Sequence, residues 1–415
     1  MTILHGFFGL FALLLMAWLL SEDRWAPPWR IVLGGVGLQI GLALLFVKFE
    51  PAAKAFLLVN DAVGALQKAT DAGTSLVFGY LGGAPLPFAE TQPGASYILG
   101  FRAFPLVLVI SALASLLLYW GILQRIVGIF AWGLQRTLGV GGALGLGAAV
   151  HIFVGMIEAP LLVRPYLLKM SRGELFALMS CGMAGIAGTV MVIYVSLLGG
   201  VIPGALSHIL IASVISTPAA LAVAALMIPF RPEPEDNAKL SVEDPPASVM
   251  DAIARGTKDG IGFLAGILAM LIVLVALVTL VNMGLAMLPH WGAAPITLQR
   301  LFAFVFQPLM WLIGIPPQET ATAAKLMGTK TAINEFVAYI DLAHLPATAL
   351  GPRARLIMTY ALCGFANFGS VGIMIGGMTA MAPERRQEIV TLALRSLVSG
   401  TLATLMSGTV IGMLV

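Results

Sequence analysis

The chain is a succession of long apolar runs separated by short polar stretches. A helix needs about 20 mostly apolar residues to cross roughly 30 Å of hydrocarbon. Eight stretches meet that demand: 4–20, 31–47, 104–122, 175–199, 206–230, 261–288, 354–380 and 390–415. Between Glu174 and Arg231 only His208 could carry a charge, so this stretch reads as two spans joined by a Gly/Pro turn at 199–204. The first span has no Lys or Arg ahead of it and no small-residue cleavage site, so a signal peptide is not expected.

Two further apolar segments do not read as plain crossings. Residues 138–163 are broken by glycines and carry His151 and Glu158; residues 318–342 carry Lys325, Lys330 and Glu335. Irregular backbone at membrane depth is tolerated only inside protein or beside water, so both are predicted to be re-entrant hairpins. Residues 121–137 and 297–313 are amphipathic and fit interfacial helices. The fold class that follows is an all-α polytopic membrane protein: about eight transmembrane helices and two re-entrant hairpins in an inverted repeat, with interfacial helices. Lys and Arg are in excess on one set of loops, which puts that set inside and both termini outside.

Short matches recur at a nearly constant offset. Cys181-Gly-Met-Ala-Gly185 pairs with Cys363-Gly-Phe-Ala-Asn367, 182 positions later, and Ser213/Ser216 pair with Ser396/Ser399, 183 later. Glu158 and Glu335 lie 177 apart in the two hairpin candidates. An odd number of crossings separates the copies, so they face opposite ways, and inverted repeats with broken helices are a mark of secondary transporters. The expected organisation is a scaffold of helices 1–3 with an interfacial helix (1–137), a first transport repeat (138–230), a cytoplasmic linker (231–260), a scaffold helix with an external interfacial helix (261–317), and a second transport repeat (318–415).

Composition sharpens this picture. Hydrophobic residues make up 59% of the chain and charged ones 10%, with a mean hydropathy of +0.97, far from the quarter charged usual in soluble domains. A net charge of +3 without a basic face leaves no footprint for nucleic acid. Two cysteines make neither a disulfide framework nor a metal site. The chain lacks an HExxH helix, a Gly-x-Ser-x-Gly elbow and a phosphate-binding Walker loop, so neither an enzyme nor a cofactor is expected.

The side chains that could carry chemistry are therefore few. A carboxylate at membrane depth is costly unless hydrated or paired, which makes Glu158 and Glu335 functional candidates; structural ion pairs with Arg164 or Lys330 are the alternative. Asn367 and Ser370 lie in Cys363-Gly-Phe-Ala-Asn-Phe-Gly-Ser370, where glycines and polar residues interrupt a helix and free backbone groups for a polar solute. Glycine-mediated helix packing would explain the same residues. Arg395 reads as half of a buried structural pair, and the cysteines as small packing residues.

These residues also resemble a known family. Gly147–Tyr166 (GAAVHIFVGMIEAPLLVRPY) looks like the first-hairpin motif of concentrative nucleoside transporters, Lys330–Tyr339 (KTAINEFVAY) like their second hairpin, and Tyr360–Ser370 (YALCGFANFGS) like their broken seventh helix. Pro383–Arg386 (PERR) and Gly400–Thr404 (GTLAT) fit too, so the resemblance covers essentially the whole chain. It implies a homotrimer whose protomers carry a nucleoside-like small molecule across the bilayer in an elevator-like step. It assigns substrate contact to Gly155, Met156, Ile157, Glu158, Glu335, Phe365, Asn367 and Ser370, and the coupling cation to His151, Val154, Gly185 and Ile186.

The departures from the family are informative. Its first hairpin usually reads Gly-Gln-Thr-Glu; here it reads Gly155-Met156-Ile157-Glu158, so hydrogen bonds to the nucleobase are lost while sugar recognition is retained. Sodium-coupled members carry Asn at the position of His151 and Ser at that of Gly185. Both side-chain oxygens are gone, and an imidazole nitrogen suits a hard cation poorly. Histidine can instead carry a proton. The sodium site is thus expected to be degraded, with protons favoured over sodium. The family's Glu-Ser pair before this hairpin is replaced by Leu144-Gly145, which nothing in the sequence explains. The leading expectation is an inner-membrane, proton-coupled importer of nucleosides or related ribosides; the alternative is an uncoupled facilitator or sensor that keeps the fold.

Overall fold

A computed structural model describes residues 2–89, 96–156, 158–231, 245–289 and 295–415. Among the described residues the regular structure is helical, with no strand. Helices α1 (Thr2–Leu19) and α2 (Trp29–Lys48) are followed by a long α3 (Glu50–Phe78), one turn of α4 (Leu99–Arg102), α5 (Leu106–Tyr119) and the amphipathic α6 (Ile122–Leu138). Then come α7 (Gly142–Val150), the short α8 (Glu158–Leu162) and α9 (Arg164–Leu167), a helix split into α10 (Arg172–Ala184) and α11 (Gly188–Leu198), and α12 (Ala205–Met227). The rest is α13 (Val249–Leu285), α14 (Leu298–Leu312), α15 (Thr320–Ala332), α16 (Glu335–His344), a second split helix α17 (Pro352–Leu362) and α18 (Phe368–Met381), and α19 (Arg386–Leu414).

Five helical stretches among the described residues are long and apolar enough to cross a membrane: Trp29–Lys48, Leu99–Tyr119, Ala205–Met227, Val249–Leu285 and Pro383–Leu414. Ile3–Leu19 and Phe368–Met381 are shorter apolar helices. The expected spans 175–199 and 354–380 are each broken in the middle. Helix α10 is started by a reciprocal cap: Ser171 accepts from the Glu174 N–H, and the Glu174 carboxylate accepts from the Ser171 N–H at 2.9 Å. It stops at Gly185, where the backbone turns extended. Helix α17 stops at Cys363, and α18 restarts after Asn367.

The two breaks touch each other. The Phe365 N–H donates to the Gly185 carbonyl at 3.1 Å. A Cβ at Gly364 would lie 2.8 Å from the Ala184 carbonyl oxygen, so only glycine permits this approach. The unwound segments thus supply some of each other's missing backbone partners, as burial away from water requires.

Two features bear on the expected organisation. Residues 231–260 were expected to form a linker, but α13 begins at Val249, capped by the Ser248 hydroxyl, which accepts from the Asp251 N–H. Its first turns carry Asp251, Arg255 and Lys258, and this charged start leads directly into a long apolar helix; residues 232–244 lie outside the described residues. The helices expected to form the scaffold of residues 1–137 divide in their packing. Helices α1 and α2 pack against α12 and α19, elements of the two repeats. Buried Gln39 of α2 donates to Ser407 of α19 at 3.1 Å, and Ser407 in turn bonds Ser216 of α12 at 2.9 Å. Helix α5 instead packs along α13, where a Cβ at Gly256 would lie 2.5 Å from the Ser111 carbonyl oxygen. Much of α13 beyond this seam is exposed and apolar, as at Ile272, Val273, Leu277 and Leu280.

Candidate functional site

The second hairpin turns through Ile333 and Asn334. Extended at φ −169°, Asn334 caps α16 by accepting from the Val337 N–H at 3.0 Å. That cap fixes Glu335 as the first residue of α16, where the positive end of the helix dipole favours a carboxylate. Asn367 repeats the device at α18, its side-chain oxygen accepting from the Ser370 N–H at 2.8 Å. The other end of its amide donates to Glu335 at 2.8 Å. The Tyr194 hydroxyl, on α11, donates to the second Glu335 oxygen at 2.7 Å.

Glu335 is only 4% exposed, so its charge is bearable only with such partners. An ionised carboxylate offers about four acceptor sites. One bond on each oxygen therefore leaves capacity for further donors. Lys330, considered as an alternative partner, attracts the Glu335 carboxylate from nearby, with no contact ion pair between them among the described residues. The Lys330 ammonium donates to the Ala361 carbonyl at 2.9 Å and the Thr404 hydroxyl at 3.2 Å.

A cavity of about 360 Å³ opens beside this cluster. Gly155, Met156, Glu335, Phe365, Asn367 and Ser370 line it, so six of the predicted substrate residues converge from both hairpins and the second break. Its polar wall is Tyr194, Asn334, Glu335, Asn367 and Ser370; most of the remainder is apolar, including Phe104 of the α4–α5 link and Phe263, Ile267, Met270 and Leu271 of α13. A volume of this order accommodates a small molecule, and polar groups gathered at one end fix its orientation.

His151, Val154, Gly185 and Ile186 stand apart from the cavity lining. Ile157 lies outside the described residues. Glu158 is the first residue of α8 as Glu335 is of α16, so the two hairpins start their second helices on matched glutamates. The predicted ion residues His151, Val154, Gly185 and Ile186 form a separate group where the first hairpin tip folds around the first break. Gly188 N–H donates to the Phe153 carbonyl at 3.1 Å, and the Ser213 hydroxyl to the Ile152 carbonyl at 3.2 Å. A Cβ at Gly185 would lie 3.2 Å from the His151 carbonyl oxygen. His151 is 3% exposed, its ring lies against Gly182, and its Nε2 has no hydrogen-bond partner.

Sequence reasoning missed Tyr194, Asn334 and the α13 wall. Asn334 could have been found, because an Asn directly before an acidic residue and an apolar run is an N-cap pattern. Tyr194 gives no such signal in an apolar span. Arg395 does make an ion pair, with Glu22, but at 41% exposure the pair is not buried.

Three family descriptions fit the chain: "Na+ dependent nucleoside transporter C-terminus" over residues 208–412, its N-terminal counterpart over 8–81, and "Nucleoside recognition" over 100–201. An uncharacterized transporter of Haemophilus influenzae is 36% identical over 100% of this chain and 98% of its own. The transporter YutK of Bacillus subtilis is 33% identical over the full length of both. Solute carrier family 28 member 3 of Homo sapiens is 35% identical over 99% of this chain, which spans 60% of that protein's length. Among solved structures, CNTnw in an inward-facing substrate-bound state superposes with a TM-score of 0.90 at 33% identity, covering 100% of this chain and 98% of that one. An outward-facing CNTnw structure gives 0.88. With relatives of this similarity along its entire length, the chain belongs to the concentrative nucleoside transporter family and is a multi-pass membrane protein.

Proposed function

We propose that this chain is a secondary active importer of nucleosides or closely related ribosides, driven by protons rather than sodium, and working as a homotrimer in the inner membrane. The observation that carries the reading is the Glu335 carboxylate, held by Tyr194 and Asn367 at the polar end of an otherwise apolar cavity. There the carboxylate accepts from ribose hydroxyls, Asn367 and Ser370 add donors and acceptors, and Phe365 packs on the apolar part of the solute. Glu158 contributes a second carboxylate from the first hairpin. Met156 and Ile157 meet the base. Neither side chain replaces the hydrogen bonds of Gln and Thr, so each lost bond weakens base discrimination by about 1 kcal/mol.

Donor chemistry decides which cation the first break can take. Sodium needs oxygen ligands. At the first break the described residues offer a glycine, an imidazole and the carbonyls of a tight turn, with the Ser213 hydroxyl already donating to one of those carbonyls. An unpartnered His151 nitrogen is able to take a proton. The moving unit in this reading contains α1, α2 and both repeats, which are packed together, and slides against α5 and α13. The exposed apolar face of α13 is then available to partner protomers and lipid.

The test is a vesicle assay with purified protein and a labelled nucleoside, competed by nucleosides, free bases and free ribose, with and without sodium at two pH values. Nucleosides compete, bases do not, and accumulation follows an inward proton gradient and collapses with a protonophore. A strict sodium requirement at constant pH overturns the coupling. Equilibration that ignores the protonophore favours an uncoupled facilitator.

A further inference from the structure

A helix that ends inside the membrane leaves its last carbonyls without N–H partners, and the dipole gathers about half a negative charge there. In transporters with broken helices such ends face cations. Among the described residues, two such ends belong to the broken helices: the end of α10 at Ala184 and the end of α17 at Leu362. Each is met by a basic side chain from the tip of the first helix of a hairpin, and the two differ in kind.

At α10 the side chain is His151, just past the end of α7, packed on Gly182 with an unpartnered ring nitrogen. At α17 it is Lys330, in the last turn of α15. Lys330 is fully buried, and its ammonium donates to the Ala361 carbonyl in the last turn of α17 and to Thr404 of α19. A buried ammonium whose hydrogen-bond partners include no carboxylate is costly; the negative helix end it touches compensates it, together with attraction to the Glu335 carboxylate beyond hydrogen-bond reach. The pattern is that of an ion site whose ion is attached to the chain.

We propose that the Lys330 ammonium is a tethered cation that fills the ion position of the second repeat, leaving the first repeat, at His151, as the place where an ion is exchanged with solution. Two consequences follow. Lys330 is a positioning residue: by holding α17 against α15 it sets the separation of Glu335, just beyond α15, from Asn367, just beyond α17. Transport also takes one ion per solute. The second consequence rests on the transporter reading of the cavity; the first concerns the cation position alone.

The test uses full-length Lys330→Ala, Lys330→Met and wild type, extracted and purified with either methylammonium chloride or choline chloride at equal ionic strength. Melting temperature is read without any nucleoside, and nucleoside affinity is read separately. Methylammonium is small enough to replace the missing ammonium; choline is not. Lys330→Ala melts lower and binds nucleoside about tenfold more weakly, as loss of a charged hydrogen-bond donor predicts, and methylammonium restores both. Wild type and the space-filling Lys330→Met do not respond to the amine. Overturning results are a Lys330→Ala protein indifferent to methylammonium, including one that yields no folded protein with the amine present, or a Lys330→Met protein equal to wild type in both readouts. In proteoliposomes, two ions per nucleoside would also overturn it. Should wild type bind no nucleoside, the proposed function fails, while amine recovery of the melting temperature still reads the cation position.

Discussion

The two halves of the bundle share a backbone plan and differ in what they do with it. Both have a hairpin whose second helix starts on a glutamate, and both have a broken helix, the breaks 182 positions apart and in contact. In the second half the tip is polar and its side chains are bonded to one another and to helix ends: Asn334 and Asn367 cap helices, Glu335 takes donors on both oxygens, and Lys330 occupies a helix end. In the first half the tip from His151 to Met156 is apolar except for the histidine, and main-chain bonds secure it. The backbone of a break must be satisfied in both copies, because lipid offers it nothing. The side chains are free of that demand, which is why the proposed function can give one copy the sugar and the other the ion.

The strongest way to break this contrast is to neutralise the polar half. Glu335→Gln puts an amide opposite two donors, the Tyr194 hydroxyl and the Asn367 amide, so one of them faces another N–H. Losing a charged acceptor and the hydroxyls it would take is worth about 3 kcal/mol, or more than a hundredfold in uptake. The protein should still assemble, as judged by size-exclusion chromatography. Uptake at the wild-type rate would remove Glu335 from the site and dissolve the division of labour between the repeats.

Next in size is a change of ion. His151→Asn with Gly185→Ser returns side-chain oxygens to the first break. A Cβ at position 185 would lie 3.2 Å and 3.3 Å from the carbonyl oxygens of His151 and Cys181, so a serine fits after a shift of a few tenths of an ångström and sits among oxygens. Sodium should then stimulate uptake about tenfold, equivalent to ~1.4 kcal/mol of coupling. The pH dependence of the wild type should fade. If the double variant keeps the ion dependence of the wild type, the first break is not where the ion acts.

Much of this contrast is legible in the sequence, for local reasons. Span length, the Cys-Gly-x-Ala pairs at 181 and 363, and the polar residues interrupting apolar helices are all visible within a few residues of one another, and they lead to Glu335, Asn367 and Ser370. What stays hidden is non-local or mixed in character. The long helix α3 carries Lys54, Asp61, Lys68 and Asp71 among its apolar residues, so no apolar run announces it. The start of α13 has the charge and prolines nearby that suggest a linker. The pairing of Tyr194 with Glu335 spans 141 positions and that of Lys330 with Thr404 spans 74, distances over which periodicity says nothing. The grouping of α1 and α2 with the repeats rests on packing alone.

The smallest effect concerns the tie that holds the two repeats to those first helices. Glu22, in the turn between α1 and α2, donates its N–H to the Met227 carbonyl at the end of α12 at 2.9 Å. Its carboxylate accepts from Arg172 at the start of α10 at 3.0 Å and from Arg395 of α19, so one side chain joins the first helices to both halves. The hydrogen bond from Arg172, and then attraction to Arg172 and Arg395, hold this carboxyl below the usual range despite partial burial. A depressed carboxylate stabilises the fold above its unfolded value, and that stability is lost as pH falls through the folded one. The three side chains are 33%, 40% and 41% exposed, so water screens the network and its worth is about 1 kcal/mol or less. Glu22→Gln should therefore lower the melting temperature slightly at neutral pH and leave ion dependence alone. The difference from wild type should shrink in high salt and fade as pH falls beneath the usual carboxylate range, through the lowered point at which the wild-type carboxyl takes up its proton. A difference that survives both conditions would mean that the shape of the side chain, and not its charge, joins the halves.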